Sequence, residues 1–190
     1  MFRDSASREP SPVGSHLGSL HAAGGVSVDS DGPVEFRNEP RFGTGPKKEY
    51  ANDDIVVVWE PAFCIHVANC LAGLPEVFDA SRRPWVEPDL ASADEVADVV
   101  MTCPTGALHF RRLDGGPEEP EPAETTIDVR PNGPIFVRGK VRIEDASGHL
   151  IREDTRVALC RCGGSSNKPF CDGTHRVIGF RSGSPNYPSG

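Results

Sequence analysis

"CRCGGSSNKPFCDGTH", Cys160–His175, gathers three of the chain's six cysteines and one histidine into a single short stretch. The spacing is C-x-C-x8-C-x3-H. Thiolates are soft ligands that select zinc, copper(I) or iron–sulfur clusters, and a single imidazole is compatible with zinc or a cluster. A C-x-C pair sets Cys160 and Cys162 on one side of an extended backbone, an arrangement suited to two ligands on one metal. Cys171 and His175 are then placed to hold a second metal from the following turn. Gly163, Gly164 and Gly173 leave the backbone free to approach bridging sulfide and to offer it amide donors.

Around this stretch the composition argues for small ordered units rather than one well-filled core. The chain has 190 residues, 37% of them hydrophobic, with 20 Gly and 18 Pro. Thin cores need a staple, and the cysteines are the candidates for it. Residues 1–46 are rich in Ser, Gly and Pro without hydrophobic periodicity and read as a disordered tail. Residues 114–124, "DGGPEEPEPAE", carry five acids, three prolines and no base, and read as a stiff, solvated linker. Two ordered segments remain, 47–113 and 125–182, each with three cysteines, followed by a tail at 183–190.

The longest apolar run, "IVVVW" at Ile55–Trp59, is strand-sized, so no membrane span is expected. The opening "MFRDSASREPSPVG" has neither the basic start nor the apolar segment of a secretory signal. A cytoplasmic, reducing location is the resulting expectation, and there clustered cysteines bind metals rather than form disulfides. The formal net charge of −8 argues against a nucleic-acid partner. Its division is uneven. Residues 47–113 hold 6 Lys/Arg against 11 Asp/Glu, a net −5, whereas residues 125–180 hold 9 against 6, a net +3. The two segments are therefore expected to attract one another, in a manner that salt screens.

Local patterns place the elements. "DIVVVW" reads as a strand, "PAFCIHVANCLAGLPEVF" as a loop with a short helix, and "ALHF" as a second strand. Ser92 followed by Glu95 reads as a capping box that opens a helix through Val100. In the second segment, "TIDVR", "IFVRGKVRIED" and "LIREDTRVALC" are β-rich runs broken by turns at "PNG" and "ASG". The expected class is α+β.

The cysteine-rich stretch resembles the CDGSH iron–sulfur motif of the mitoNEET-type family, C-x-C-x2-S/T-x3-P-x-C-D-G-S/T/A-H. Ser165 and Pro169 fill its intermediate positions, and Thr174 stands in the variable place of the signature. The resemblance takes in the preceding "RPNGPIFVRG" as a β-rich lead-in. It implies a 2Fe–2S cluster on Cys160, Cys162, Cys171 and His175, with a structural zinc site on the same residues as the alternative. Asp172 reads either as a turn former or as a partner beside the cluster.

In the first segment Cys64 and Cys70 are six apart, and Cys103 precedes Pro104. Bacterial ferredoxins use C-x2-C-x2-C with a remote Cys-Pro, which sets Val67 at the second ligand position. The run resembles a divergent single-cluster ferredoxin domain, through that spacing, Pro75–Phe78 and Cys103-Pro104. The resemblance implies a cluster on Cys64, Cys70 and Cys103. With Val67 unable to bind a metal, 3Fe–4S is favoured, and 4Fe–4S is the alternative. His66, next to the gap, is read as a loop histidine in preference to a fourth ligand. His109 and His149 read as structural or exposed, and Trp59 and Trp85 as core.

Together these imply an iron–sulfur protein with a ferredoxin-like domain, an acidic linker and a small β-rich CDGSH domain. One-electron transfer to an unidentified redox protein is the expected function. Cluster storage, donation to an acceptor or redox sensing is the alternative, and a zinc-stapled interaction module a third reading. No nucleophile–base pair or phosphate loop points to an enzyme. CDGSH relatives suggest a homodimer through that domain.

Overall fold

The structure, a computed structural model, describes residues 46–183, all within one compact unit. The tails expected at 1–46 and 183–190 lie almost entirely outside the described residues. No helix among them is long and apolar enough to cross a membrane.

The first lobe is an antiparallel sheet of β1 (Lys48–Ala51), β2 (Ile55–Trp59) and β3 (Leu108–Arg112), in the order β1-β2-β3. β2 is central, which is why "IVVVW" is β-branched almost throughout and buried on both faces. The strand β1 was not legible in "KEYA". It exists because Asn52 Oδ1 accepts from the amides of Asp54 and Ile55, at 3.0 and 2.9 Å, and turns the chain back onto β2. The helix α2 (Ala93–Met101) opens on the expected capping box, with Ser92 N donating to Glu95 Oε2 at 3.0 Å. Such a cap stabilises by about 1 kcal/mol. Ala93, Val96, Ala97 and Val100, spaced for one helical face, pack on Ile55, Val57, Val77, Phe78, Leu108 and Phe110.

The second lobe is a sheet of β4 (Thr126–Val129), β5 (Ile135–Glu144) and β6 (Leu150–Leu159), also antiparallel. The "PNG" turn closes through Gly133 N donating to Arg130 O, and the β5–β6 turn through Asp145 Oδ1 accepting from Ser147 and His149. Its core is small: Val137, Val157 and Phe170 are buried, and Phe63 of the first lobe packs edge-on against Phe170 at 4.9 Å. The second lobe thus completes its core with a residue that belongs, in sequence, to the first.

β6 shows why the lobes are one body. Its alternate residues Arg152, Asp154, Arg156 and Ala158 form a stripe facing the first lobe, as strand geometry requires of every second residue. Arg152 reaches Glu60 and the Gly106 carbonyl, and Asp154 reaches His109. Arg156 is 1% exposed and donates to the carbonyls of Val100 and Leu108, while Ala158 packs on Ile65. Gly106, at φ +68, lies against this stripe, and a Cβ there would collide with the Arg156 carbonyl and the Asp154 carboxylate.

The acidic stretch 114–124 has no helix or strand, but it is not simply solvated. Glu119 pairs with Arg156 and with His109 Nδ1, while Asp114 pairs with Arg112. Two buried or half-buried bases need counter-charges, and this stretch supplies one. The attraction between lobes is accordingly carried by a buried network, which salt screens far less than separated surface charges.

Candidate functional site

In the second lobe, Cys160 and Cys162 follow directly on β6, with their sulfurs 3.9 Å apart. The chain then turns through 163–168 and returns beside them. Cys160 N donates to Pro169 O, and Cys171 N donates to Ala158 O, at 2.9 and 2.8 Å. Ser165 Oγ bonds the Phe170 carbonyl at 2.7 Å and holds this return tight. The short helix α3 (Thr174–Val177) then turns His175 Nδ1 to within 3.4 Å of Cys171 Sγ.

Asp172 resolves in favour of organisation. Its carboxylate accepts from the amides of Ser166 and Thr174, at 2.8 and 3.0 Å, joining the outgoing and returning arms of the loop. Burial opposes its charge, but these bonds hold the carboxyl below its ordinary range. Two of the glycine amides, Gly164 N and Gly173 N, each point at a cysteine sulfur, at 3.4 Å.

The first-lobe set is built from three elements. Cys64 follows a turn at Pro61–Phe63, Cys70 lies in α1 (Asn69–Gly73), and Cys103 follows α2. His66 and Ala68 adopt left-handed backbone, φ 53 and 68, which coils the 64–70 loop. Asn69 Nδ2 donates to Thr102 O at 3.0 Å and ties that loop to the Cys103 segment. All three cysteines and Val67 line one cavity, together with Trp59, Trp85 and Thr105. His66 is exposed and its Nδ1 stands 3.9 Å from Cys64 Sγ.

Burial is the leading influence on the electrostatics of Cys64, Cys70, Cys171 and His175. Burial pushes the Cys70 thiol up to about 11, against the pull of the Leu71 amide and with the help of Cys103 and Cys64. Burial likewise raises Cys64 and Cys171, and burial together with Arg176 lowers His175. A soft cation that binds here must displace protons that burial holds on Cys64, Cys70 and Cys171, whereas His175 gives up its proton more readily.

The donors suit a sulfide-bridged metal group. Among the described residues no three His, Cys, Asp or Glu side chains converge as a single-ion site. In the second lobe the close contacts join the donors in pairs, Cys160 with Cys162 and Cys171 with His175. In the first lobe the buried indole N–H groups of Trp59 and Trp85 have no hydrogen-bond partner. The Trp59 N–H favours the Cys64 thiolate, yet stands outside hydrogen-bond geometry to it. The Trp85 N–H is directed toward Tyr50, so the Trp59 N–H is the donor that an acceptor beside Cys64 would satisfy. Sequence reasoning assigned both tryptophans to the core, and both pack against it; nothing local reveals where an indole N–H points.

The family described as "Divergent 4Fe-4S mono-cluster" matches residues 50–113, and the family described as "Iron-binding zinc finger CDGSH type" matches residues 132–176. The chain thus carries a divergent 4Fe–4S mono-cluster domain followed by a CDGSH iron-binding domain. It is also 39% identical over 62 residues to the "Uncharacterized protein YjdI" of Escherichia coli K12, covering 33% of this chain and 82% of that relative. The same protein in Escherichia coli O157:H7 matches equally. This two-domain iron–sulfur protein therefore carries its domains in the order expected from the two motifs.

The two donor sets meet through one residue. Ile65, which directly follows Cys64, is 2% exposed and packs on Cys171 and Ala158. Arg176, which directly follows His175, donates to the Ile65 carbonyl at 2.6 Å. No sequence signal announced this contact, since the partners are separated by more than ninety positions.

Proposed function

We propose that this protein is a one-electron carrier with two iron–sulfur clusters. In this reading Cys160, Cys162, Cys171 and His175 hold a 2Fe–2S cluster. Cys64, Cys70 and Cys103 hold a 3Fe–4S cluster, with 4Fe–4S as the alternative. When bound, such clusters supply one-electron oxidation and reduction with little change in geometry. The chain's own residues hold the thiolates, bring the Gly164 and Gly173 amides to the sulfurs of Cys162 and Cys171, and keep the two sets side by side.

The observation that carries the reading is the Ile65 contact: a single buried residue spans the interval between the two donor sets. A storage or donor protein needs its cluster accessible to an acceptor. It has no use for a second set fastened to the first. Anaerobic redox titration followed by electron paramagnetic resonance tests the reading. Two paramagnetic species with separate midpoint potentials, interacting magnetically when both are paramagnetic, are expected. Rapid passage of iron and sulfide to an apo-acceptor, without reversible reduction of either cluster, would replace it with cluster donation.

A further inference from the structure

Between the two donor sets the surface forms an open bowl of about 450 Å³. Ile65 and Val67 reach it from the first site, His175 and Arg176 from the second, and Arg130 and Arg181 complete it. Among the described residues no Asp or Glu lines it. On a chain of net charge −8, three arginines around one opening are the electrostatic exception. They stand where both candidate cluster sites come to the surface.

The arginines are only partly engaged within the chain. Arg130 pairs with Asp128 at 3.0 Å, but both side chains are more than half exposed, and pairs of that kind contribute little. Arg176 uses one nitrogen on the Ile65 carbonyl. The two aromatic rings of the bowl, Phe136 and Phe180, already carry the guanidinium groups of Arg130 and Arg161 above them, at 5.9 and 5.4 Å. Each ring thus has a guanidinium over one face, which takes up part of the surface on which a nucleobase or flavin could stack. An open, positively rimmed, ring-capped bowl fits carboxylates projecting from another protein.

We propose that this arginine-rimmed bowl is the docking face for an acidic redox protein. The inference rests on the reading of this protein as a one-electron carrier and names its class of partner. Complementary charge steers encounter and fixes orientation, and its effect falls with ionic strength. Here it would bring the partner over the exposed Val67, with the buried His175 ring in the wall of the bowl beneath.

The test uses the cluster-loaded full chain and, as probe, a fluorophore-labelled flavodoxin, an FMN protein with an acidic surface. Binding is read by fluorescence anisotropy at about 0.02 M and about 0.3 M salt. The variant Arg130→Glu with Arg181→Glu is compared with Lys140→Glu and Arg142→Glu, the same charge change on β5 outside the bowl. Wild type and control should bind alike at low salt and weaken together at high salt, while the bowl variant loses affinity by about tenfold or more. Equal binding by the two variants, or none by wild type at low salt, overturns the proposal. A change in the midpoint potentials of the bowl variant with unchanged binding would also overturn it, since the arginines then serve only to balance cluster charge. So would displacement of the probe by inorganic phosphate beyond the effect of sodium chloride at equal ionic strength, which would make the bowl a small-anion site. Stopped-flow mixing with flavodoxin hydroquinone separates the two readings. Binding at the bowl without cluster reduction would sink electron transfer and leave the docking face standing.

Discussion

Arg156 of β6 donates through Nη1 to the Val100 carbonyl at 2.7 Å, so a residue of the second lobe caps the last turn of α2 in the first. The same guanidinium also reaches the Leu108 and Cys103 carbonyls and the Glu119 carboxylate. A helix end leaves carbonyls without intrahelical partners, and a cation satisfies them in both hydrogen bonding and charge. Through Cys103 this anchor bears directly on the geometry of the first donor set.

Replacing Arg156 by Met should therefore cost more than its volume suggests. Glu119 would be left charged and largely buried, with several carbonyls unpaired. A loss of about 3–5 kcal/mol is expected from breaking a buried pair on one side. Chemical denaturation of the loaded protein measures it, and Glu119→Gln made in the same background should recover part of the loss. A loss below about 1 kcal/mol would mean that the junction is held by packing at Phe63 and Ile65 instead.

His109 gives the junction a pH dependence. Burial opposes its charge, but hydrogen bonds and charges of Asp154 and Glu119 prevail and raise it to about 9. Arg156 and Arg152 also touch this group, directly or through Asp154, and do not reverse the balance. Because the folded pKa lies above the unfolded one, the stabilisation is fully present below about pH 6.5 and is lost as pH rises through about 9. The amount is on the order of 3 kcal/mol. Denaturation midpoints from pH 6 to 10 check it: wild type should decline relative to His109→Gln across that window. Parallel curves would show that His109 is neutral in the fold.

Val67 lines the cavity of the three first-lobe cysteines at the position where ferredoxins place a ligand. Val67→Cys should convert the first cluster to four irons. Oxidised 3Fe–4S is paramagnetic and oxidised 4Fe–4S is silent, so the oxidised resonance should vanish while the iron content rises by one per chain. If wild type is already silent with four irons, the three-iron assignment is wrong.

His175→Cys should lower the potential of the second cluster. A thiolate in place of neutral imidazole adds one negative charge and makes electron addition harder, by on the order of 100 mV. Bleaching in acid should slow as well, because the mutant has no imidazole whose protonation competes with the metal. Equal potentials and equal bleaching rates would show that His175 is not a ligand.

Much of this molecule was legible from short-range pattern. The capping box at Ser92–Glu95, the strand at Ile55–Trp59, the turns at Asn132–Gly133 and Ser147–Gly148, and the spacing of Cys160, Cys162, Cys171 and His175 all rest on residues a few positions apart. Their physics is a matter of local hydrogen bonds and period, which the order of residues carries directly. The two families followed from the same spacings. What tertiary structure alone decided is how the halves meet. Opposite net charges of the two segments pointed to attraction, but no local rule could tell that Arg156 would cap α2 or that Glu119 would leave solvent to pair with it. Nor could one place Phe63 and Ile65 in the core of the other lobe. These contacts join residues tens to more than a hundred positions apart, and they form because a small second lobe must complete its core with whatever apolar surface the first presents. The nearness of the two donor sets, and the arginines gathered between them, follow from that packing.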